Sequence, residues 1–189
     1  MTGGRLTPPV GANDHMAGSA DAPVTLVEYG DYECPYCGMA YPIVKAAQRK
    51  LTSQLRFVFR NFPLAESHPH ARRAAQAAEA AAAQGKFWLM HDMLFEHQDA
   101  LEDADLVHYA DAIRLDVARF ERELEAGLYA KRVRDDFRSG ARSGANGTPT
   151  FFVNGDRWDG AWADEELFID ALRDAARSAG GGVPSTADA

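Results

Sequence analysis

The chain has 189 residues, 46% of them hydrophobic and 25% charged, so it is long enough for one core carrying an insertion. Its net charge of −8 argues against nucleic acid or an anionic membrane surface as partner, because both are bound through basic patches. No apolar run approaches the roughly 20 residues needed to cross a bilayer, so membrane insertion is not expected.

Residues 1–20 are rich in Gly, Pro, Ala and polar side chains and read as a flexible arm. They lack the basic start and the apolar stretch of about 7–15 residues that mark a secretory leader. A cytoplasmic location is therefore expected, or an extracytoplasmic one if a leader has been removed. Val24 to Tyr29 is short and β-rich and reads as a buried strand, with Glu28 its one charged side chain. Cys34-Pro35-Tyr36-Cys37 then opens a helix in which Met39, Ile43, Val44 and Ala47 recur at helical spacing. Pro35 suits the first helical position, whereas Pro42 lies inside and is expected to kink the helix. Leu55 to Arg60 alternates apolar and basic residues, which completes a βαβ unit with parallel strands.

From about Ser67 to Ser143 the pattern is helical throughout. Helices are expected over Ala71–Ala83, stopped by Gly85, and over Phe87–Phe95, Asp105–Ile113, Val117–Glu125 and Leu128–Arg142. The aromatic stripe of the second reads as core, and His91 and His97 beside it as structural. Lys131-Arg132-Val133-Arg134, followed at once by two aspartates, reads as a solvated face. Thr150–Val153, the turn Asn154-Gly155 and Asp156–Trp158 form a hairpin. A last helix starts at Asp164, a good N-cap, and residues 179–189 read as a disordered tail. The order places 21–64 and 145–178 in one α/β domain and 65–144 in an inserted helical subdomain.

Cys34 and Cys37 are the only cysteines, so a framework of structural disulfides is excluded and redox or metal chemistry is indicated. At a helix N-terminus the free backbone N–H groups and the helix dipole favour a thiolate on Cys34. Cys37, one turn further in, is placed to act second. Pro35 and Tyr36 fix the turn, and Glu33 is expected to be exposed and to oppose the thiolate. The rival from another class is a zinc module in which His68 and His70 join the cysteines as a Cys2His2 site. Otherwise those two histidines read as a polar lead-in to the Ala-rich helix. On the residues alone, Pro149 is an ordinary trans proline opening a strand, and Glu28 points to solvent at the sheet's end.

Four features together change those last two readings: C-P-Y-C after the first strand, Pro42, the helical block, and Gly147-Thr148-Pro149-Thr150 before the hairpin. With them, the chain resembles the DsbA-like branch of the thioredoxin superfamily over roughly Asp21 to Ala175. The resemblance implies a thioredoxin-like α/β fold, βαβ…ββα around a mixed sheet, with an inserted α-helical subdomain. It implies a thiol–disulfide oxidoreductase whose only redox group is the Cys34–Cys37 pair, with no bound cofactor and no metal. Thr148–Pro149 would then be cis and packed on the cysteines, with Pro35, Tyr36, Thr148 and Pro149 contacting the substrate. Glu28 would be a buried acid of raised pKa that relays a proton to the second cysteine. The implied partners are protein or peptide thiols and disulfides, with glutathione or a thioredoxin-type protein as candidate redox partner. No histidine lies between the cysteines, unlike in the strongly oxidising members, and Cys-Pro-Tyr-Cys is the glutaredoxin arrangement. The direction, oxidase, reductase or isomerase, therefore stays open. A glutathione-linked transferase or deglutathionylase, which shares the fold, usually carries its helices after the thioredoxin part rather than within it. A peptide-binding role without catalysis uses the same groove.

Overall fold

Every residue of Val24–Gly30 (β2) is buried, which fits the central strand of a sheet covered on both faces. The computed structural model describes residues 4–180 and places β2 between Leu55–Asn61 (β3) and Thr150–Val153 (β4). The first pairing is parallel, as a connection through the helix Pro35–Leu51 (α1) requires, and the second is antiparallel. Asp156–Trp158 (β5) forms the far edge, reached through a tight turn in which Asn154 and Gly155 have φ of 51° and 89°. That left-handed pair is what a two-residue hairpin demands.

Side chains alternate between the sheet's faces. Val24, Leu26, Phe57, Phe59 and Phe151 join α1 and the final helix Glu165–Gly180 (α7) in the larger core. Val27, Tyr29, Val58 and Phe152 join Phe62 and Leu6 on the opposite face. Period-two alternation puts Glu28 on the face of Leu26, the side covered by α1. Five helices stand between β3 and β4: Ala71–Ala82 (α2), Phe87–Glu96 (α3), Asp103–Ala112 (α4), Val117–Glu125 (α5) and Ala130–Ser143 (α6). The buried alanines of α2 let α3, α5 and α6 approach closely, and the larger core runs from the sheet into these helices without a break. On the second face Phe62 stacks on Phe137 of α6 at 4.4 Å. A Cβ on Gly140 would come within 2.6 Å of the Phe62 ring, so this approach needs glycine.

The N-terminal segment departs from expectation. Instead of a free arm, residues from Gly4 onward are woven into the fold. His15–Gly18 (β1) pairs antiparallel with β3 and forms the near edge of the sheet. Leu6 is buried in the second core, its N–H donating to the Gly155 carbonyl, and Arg157 N–H donates to Gly4. Asp14 meets Arg60 in an ion pair of 2.8 Å with both side chains almost fully enclosed. Composition hid this because the anchors are partners distant in the chain. The expected tail from residue 181 lies outside the described residues, while Ala179 and Gly180 finish α7. Among the described residues no helix is long and apolar enough to cross a membrane.

Candidate active site

Cys34 is the N-cap of α1, in extended conformation, with Pro35 at the first helical position. Cys37 lies one turn in and is wholly buried, and both are free thiols in this structure. The hydrogen bond from the Cys37 thiol lowers the Cys34 pKa most, against the opposing effect of burial. The Thr148 side chain and the backbone N–H groups of Cys37 and Tyr36 add to the lowering, and the result is about 5. The Cys37 thiol is pushed well up, first by burial and then by its bond to Cys34 and the nearby Glu28 and Cys34 charges. One nucleophile is thus ionised near neutrality while its partner keeps its proton.

Thr148 and Pro149 close over the pair. Their peptide bond is cis, and the Cys34 thiol points at the Thr148 carbonyl at 3.5 Å. Tyr36 and Met39 are 60% and 56% exposed and give the rim of the site an apolar surface.

Beneath the helix sits Glu28, buried under α1 rather than facing solvent, with Oε1 lacking any partner. Burial, helped by the Cys34 charge, raises its pKa to about 8. It borders a cavity of about 140 Å³ lined also by Tyr41, Lys45, His91 and Asp92. Lys45 and Asp92 pair at 2.9 Å where the cavity nears the surface. His91 is enclosed in an aromatic cage of Tyr32, Phe59, Trp88 and Phe95, and burial holds its pKa down at about 3. It is neutral, and its Nδ1 lies 3.1 Å from the Tyr32 hydroxyl. His97 turns Nδ1 to the Met93 carbonyl within its own helix end.

The loop between β2 and α1 is fixed by residues that sequence reasoning did not single out. Asp31 is buried, and its carboxylate accepts from Glu33 N–H, Leu64 N–H and His68 at 2.9, 2.8 and 2.8 Å. Its backbone N–H donates to the Cys37 sulfur at 3.4 Å. Gln98, beyond α3, donates to the Tyr32 and Cys34 carbonyls at 2.8 and 2.9 Å. It lies so close to Gly38 that any Cβ there would collide with it. Asp31 carries a faint sequence signal, an Asp after Gly at a strand end, where Asx turns form. Gln98 carries none.

Two expectations are corrected here. Glu33 is not free in solvent: its carboxylate accepts from His70 N–H and meets His70 Nδ1 at 2.6 and 2.9 Å. The donor set of the zinc reading is not assembled either. His68 and His70 turn their Nδ1 atoms to Asp31 and Glu33. Among the described residues no group of three or more His, Cys, Asp or Glu side chains could hold a metal ion.

A mixed sheet ordered β1-β3-β2-β4-β5, with a dithiol at the start of the helix after its central strand, defines a thioredoxin-like protein. The helices inserted between β3 and β4 narrow this to the DsbA-like form. The thioredoxin family profile matches residues 11–171, and the chain belongs to that family. Oxidised BdbD of Bacillus subtilis superposes with a TM-score of 0.81 at 25% identity, covering 93% of this chain and 98% of that one. A thioredoxin-like oxidoreductase from Silicibacter pomeroyi gives 0.76 at 28% identity, covering 89% and 94%. α-DsbA1 of Wolbachia pipientis shares the fold, with 0.77 at 19% identity over 92% and 96%. Curated relatives bear a different name. A Na(+)/H(+) antiporter NhaA of Salinispora tropica is 50% identical over 154 residues, which is 82% of this chain and 24% of that protein. The chain thus spans about a quarter of the length of such relatives.

Proposed function

We propose that this chain exchanges disulfides with protein or peptide substrates through Cys34 and Cys37. One observation carries the reading: two cysteines one turn apart whose acidities are driven in opposite directions, Cys34 down to about 5 and Cys37 up. In the reducing direction the Cys34 thiolate attacks one sulfur of a substrate disulfide and the other sulfur leaves as a thiolate. Cys37 then attacks the Cys34 sulfur, giving up its proton to the Glu28 carboxylate, the form that becomes populated as the pH nears about 8. The first substrate sulfur is released as a thiolate, and both substrate thiolates take up protons from solvent. The pair becomes a disulfide and the substrate a dithiol. In the oxidising direction the same steps run backward, and Glu28 protonates Cys37 as it leaves.

An extended substrate strand would pair with the Thr148 backbone next to Cys34, taking over the carbonyl that the resting Cys34 thiol faces. Tyr36, Pro35 and Met39 supply apolar contact on the other side. The pair is itself the redox group, and no further cofactor enters the scheme. A low Cys34 pKa stabilises the reduced form and so favours accepting electrons from a substrate dithiol. Where a reducing glutathione pool sets the poise, at about −220 to −260 mV, that tendency is opposed. The antiporter relatives supply a second setting, in which a module like this one works on the same chain as an ion transporter.

Equilibration against glutathione buffers, with mass-spectrometric trapping, tests the proposal. A single two-electron transition, and a mixed disulfide on Cys34 in the Cys37→Ser variant, are expected. No transition between about −300 and −100 mV, or a mixed disulfide on neither residue, overturns it.

A further inference from the structure

The buried carboxylate of Asp31 stands at the hub of the loop that carries the dithiol. It accepts the three hydrogen bonds described above, its carbonyl accepts from Cys34 N–H, and its N–H donates to the Cys37 sulfur. An enclosed carboxylate is tolerated when opposite charge lies against it. Among the described residues the side chain ion-paired with Asp31 is His68, at 2.8 Å and itself largely covered. No lysine or arginine pairs with Asp31 or with Glu33 among those residues. Removing a proton from Cys34 therefore adds a further negative charge beside Asp31 and Glu33, whose ion-pair partners are the imidazoles of His68 and His70.

We propose that His68 is a positioning residue for thiol–disulfide exchange: protonated against Asp31, it lets Cys34 stay ionised, and it releases its proton more readily once Cys34 is in a disulfide. The inference rests on the exchange reading and adds a device for tuning it. His68 belongs to the segment that leads from β3 into α2, so a residue of the helical insertion adjusts the acidity of a thiol on the sheet domain.

The charges around His68 all act in one direction. Asp31 and Glu33 reach it from the β2–α1 loop, and Cys34 from the start of α1. Together they raise its pKa against the opposing effect of burial. His70, the one neighbouring cation on the same segment, is neutralised by its own contact with Glu33. Glu28 lies below α1 and is neutral until the pH approaches about 8. Thr148, facing Cys34 from the β4 side, is uncharged.

Linkage makes the idea strict. If the imidazolium lowers the Cys34 pKa by some amount, the Cys34 thiolate raises the His68 pKa by the same amount. Oxidation removes the thiolate, so the His68 pKa must fall in the disulfide form. Because the bonds from Cys37 and the backbone N–H groups dominate the Cys34 acidity, the shift expected from His68 is at most about one unit on each partner.

Two measurements test it. The first follows the His68 ring by NMR through a pH titration of the wild-type protein, reduced and oxidised. A pKa lower by up to about one unit in the oxidised form is expected. The second uses His68→Gln, which keeps an N–H toward Asp31 and removes the charge. The pH midpoint of Cys34 alkylation should rise by up to about one unit, making the thiol up to roughly tenfold less reactive well below the midpoint, with the alkaline plateau unchanged. A His68 pKa identical in the two redox states, or an unmoved Cys34 midpoint in a folded variant, overturns the proposal. If His68→Gln does not fold, the wild-type titration decides alone. A wild-type Cys34 that titrates like a free cysteine would instead overturn the exchange reading itself.

Discussion

The floor and the rim of this site treat buried carboxylic acids in opposite ways. On the floor, Glu28 has an oxygen without any partner, and burial lifts its pKa to about 8. On the rim, three residues further along, Asp31 accepts three hydrogen bonds and faces His68. The two lie on one continuous stretch of chain and are equally enclosed, so burial by itself does not decide their roles. Partners do. An acid left without them becomes a proton store, and an acid surrounded by them becomes an anchor. Cys37 hangs over the store, and the loop that aims Cys34 hangs on the anchor.

The largest effect should come from breaking the nucleophile that floor and rim both serve. Cys34→Ser should abolish exchange, with a loss of more than about 1,000-fold. Cys37→Ser should still attack and then stall as a mixed disulfide, which a gel without reductant shows directly. Equal residual activity in the two variants would contradict the assigned order.

Glu28→Gln attacks the floor alone. A loss of about tenfold in resolution is expected, together with disappearance of an inflection near pH 8 from the rate profile. Stability should move the other way. The folded-state pKa of Glu28 is raised above its ordinary 4.5, so the native state holds this proton more tightly than the unfolded chain does. Its contribution is intact below about 4.5 and is lost as the pH climbs through about 8. At about 1.4 kcal/mol per unit the loss is on the order of 4–5 kcal/mol. Glu28→Gln should therefore raise Tm at pH 9 and leave it nearly unchanged at pH 4.

Gln98→Ala attacks the rim from the helical insertion. Losing its bonds to the Tyr32 and Cys34 carbonyls should cost about 1–2 kcal/mol in denaturant unfolding. It should also slow the first attack more than the second step, because Cys34 rather than Cys37 is loosened. The smallest effect belongs to His70→Gln. That ring is 43% exposed, so its pair with Glu33 should be worth less than about 1 kcal/mol and should weaken further in salt.

Much of this architecture is legible in the sequence, because it is written in short-range patterns. Pro35 at the first turn, Gly85 after the alanine helix, Asn154-Gly155 in the hairpin and Asp164 at the last N-cap each act within a few residues. Asp164 does accept from the Leu167 N–H, as its position suggests. The cysteines were legible for the same reason, since one turn of helix separates them. What stayed hidden depends on distant partners. The strand His15–Gly18 is only four residues, His-Met-Ala-Gly, and it is recognisable only through β3 and the Asp14–Arg60 contact. Asp31 and His68 lie 37 positions apart, as do Glu33 and His70, so their pairing awaited the fold. Gln98 acts through backbone carbonyls, which carry no sequence mark at all.

The account stands on the acidity of a single sulfur. The most direct test is the rate of Cys34 alkylation by iodoacetamide in the reduced protein, followed from pH 3 to 10 with peptide-level mass spectrometry. A midpoint near 5 is predicted, with Cys37 unmodified throughout. A rate that rises only near 8.5, the range of a free cysteine, would contradict it.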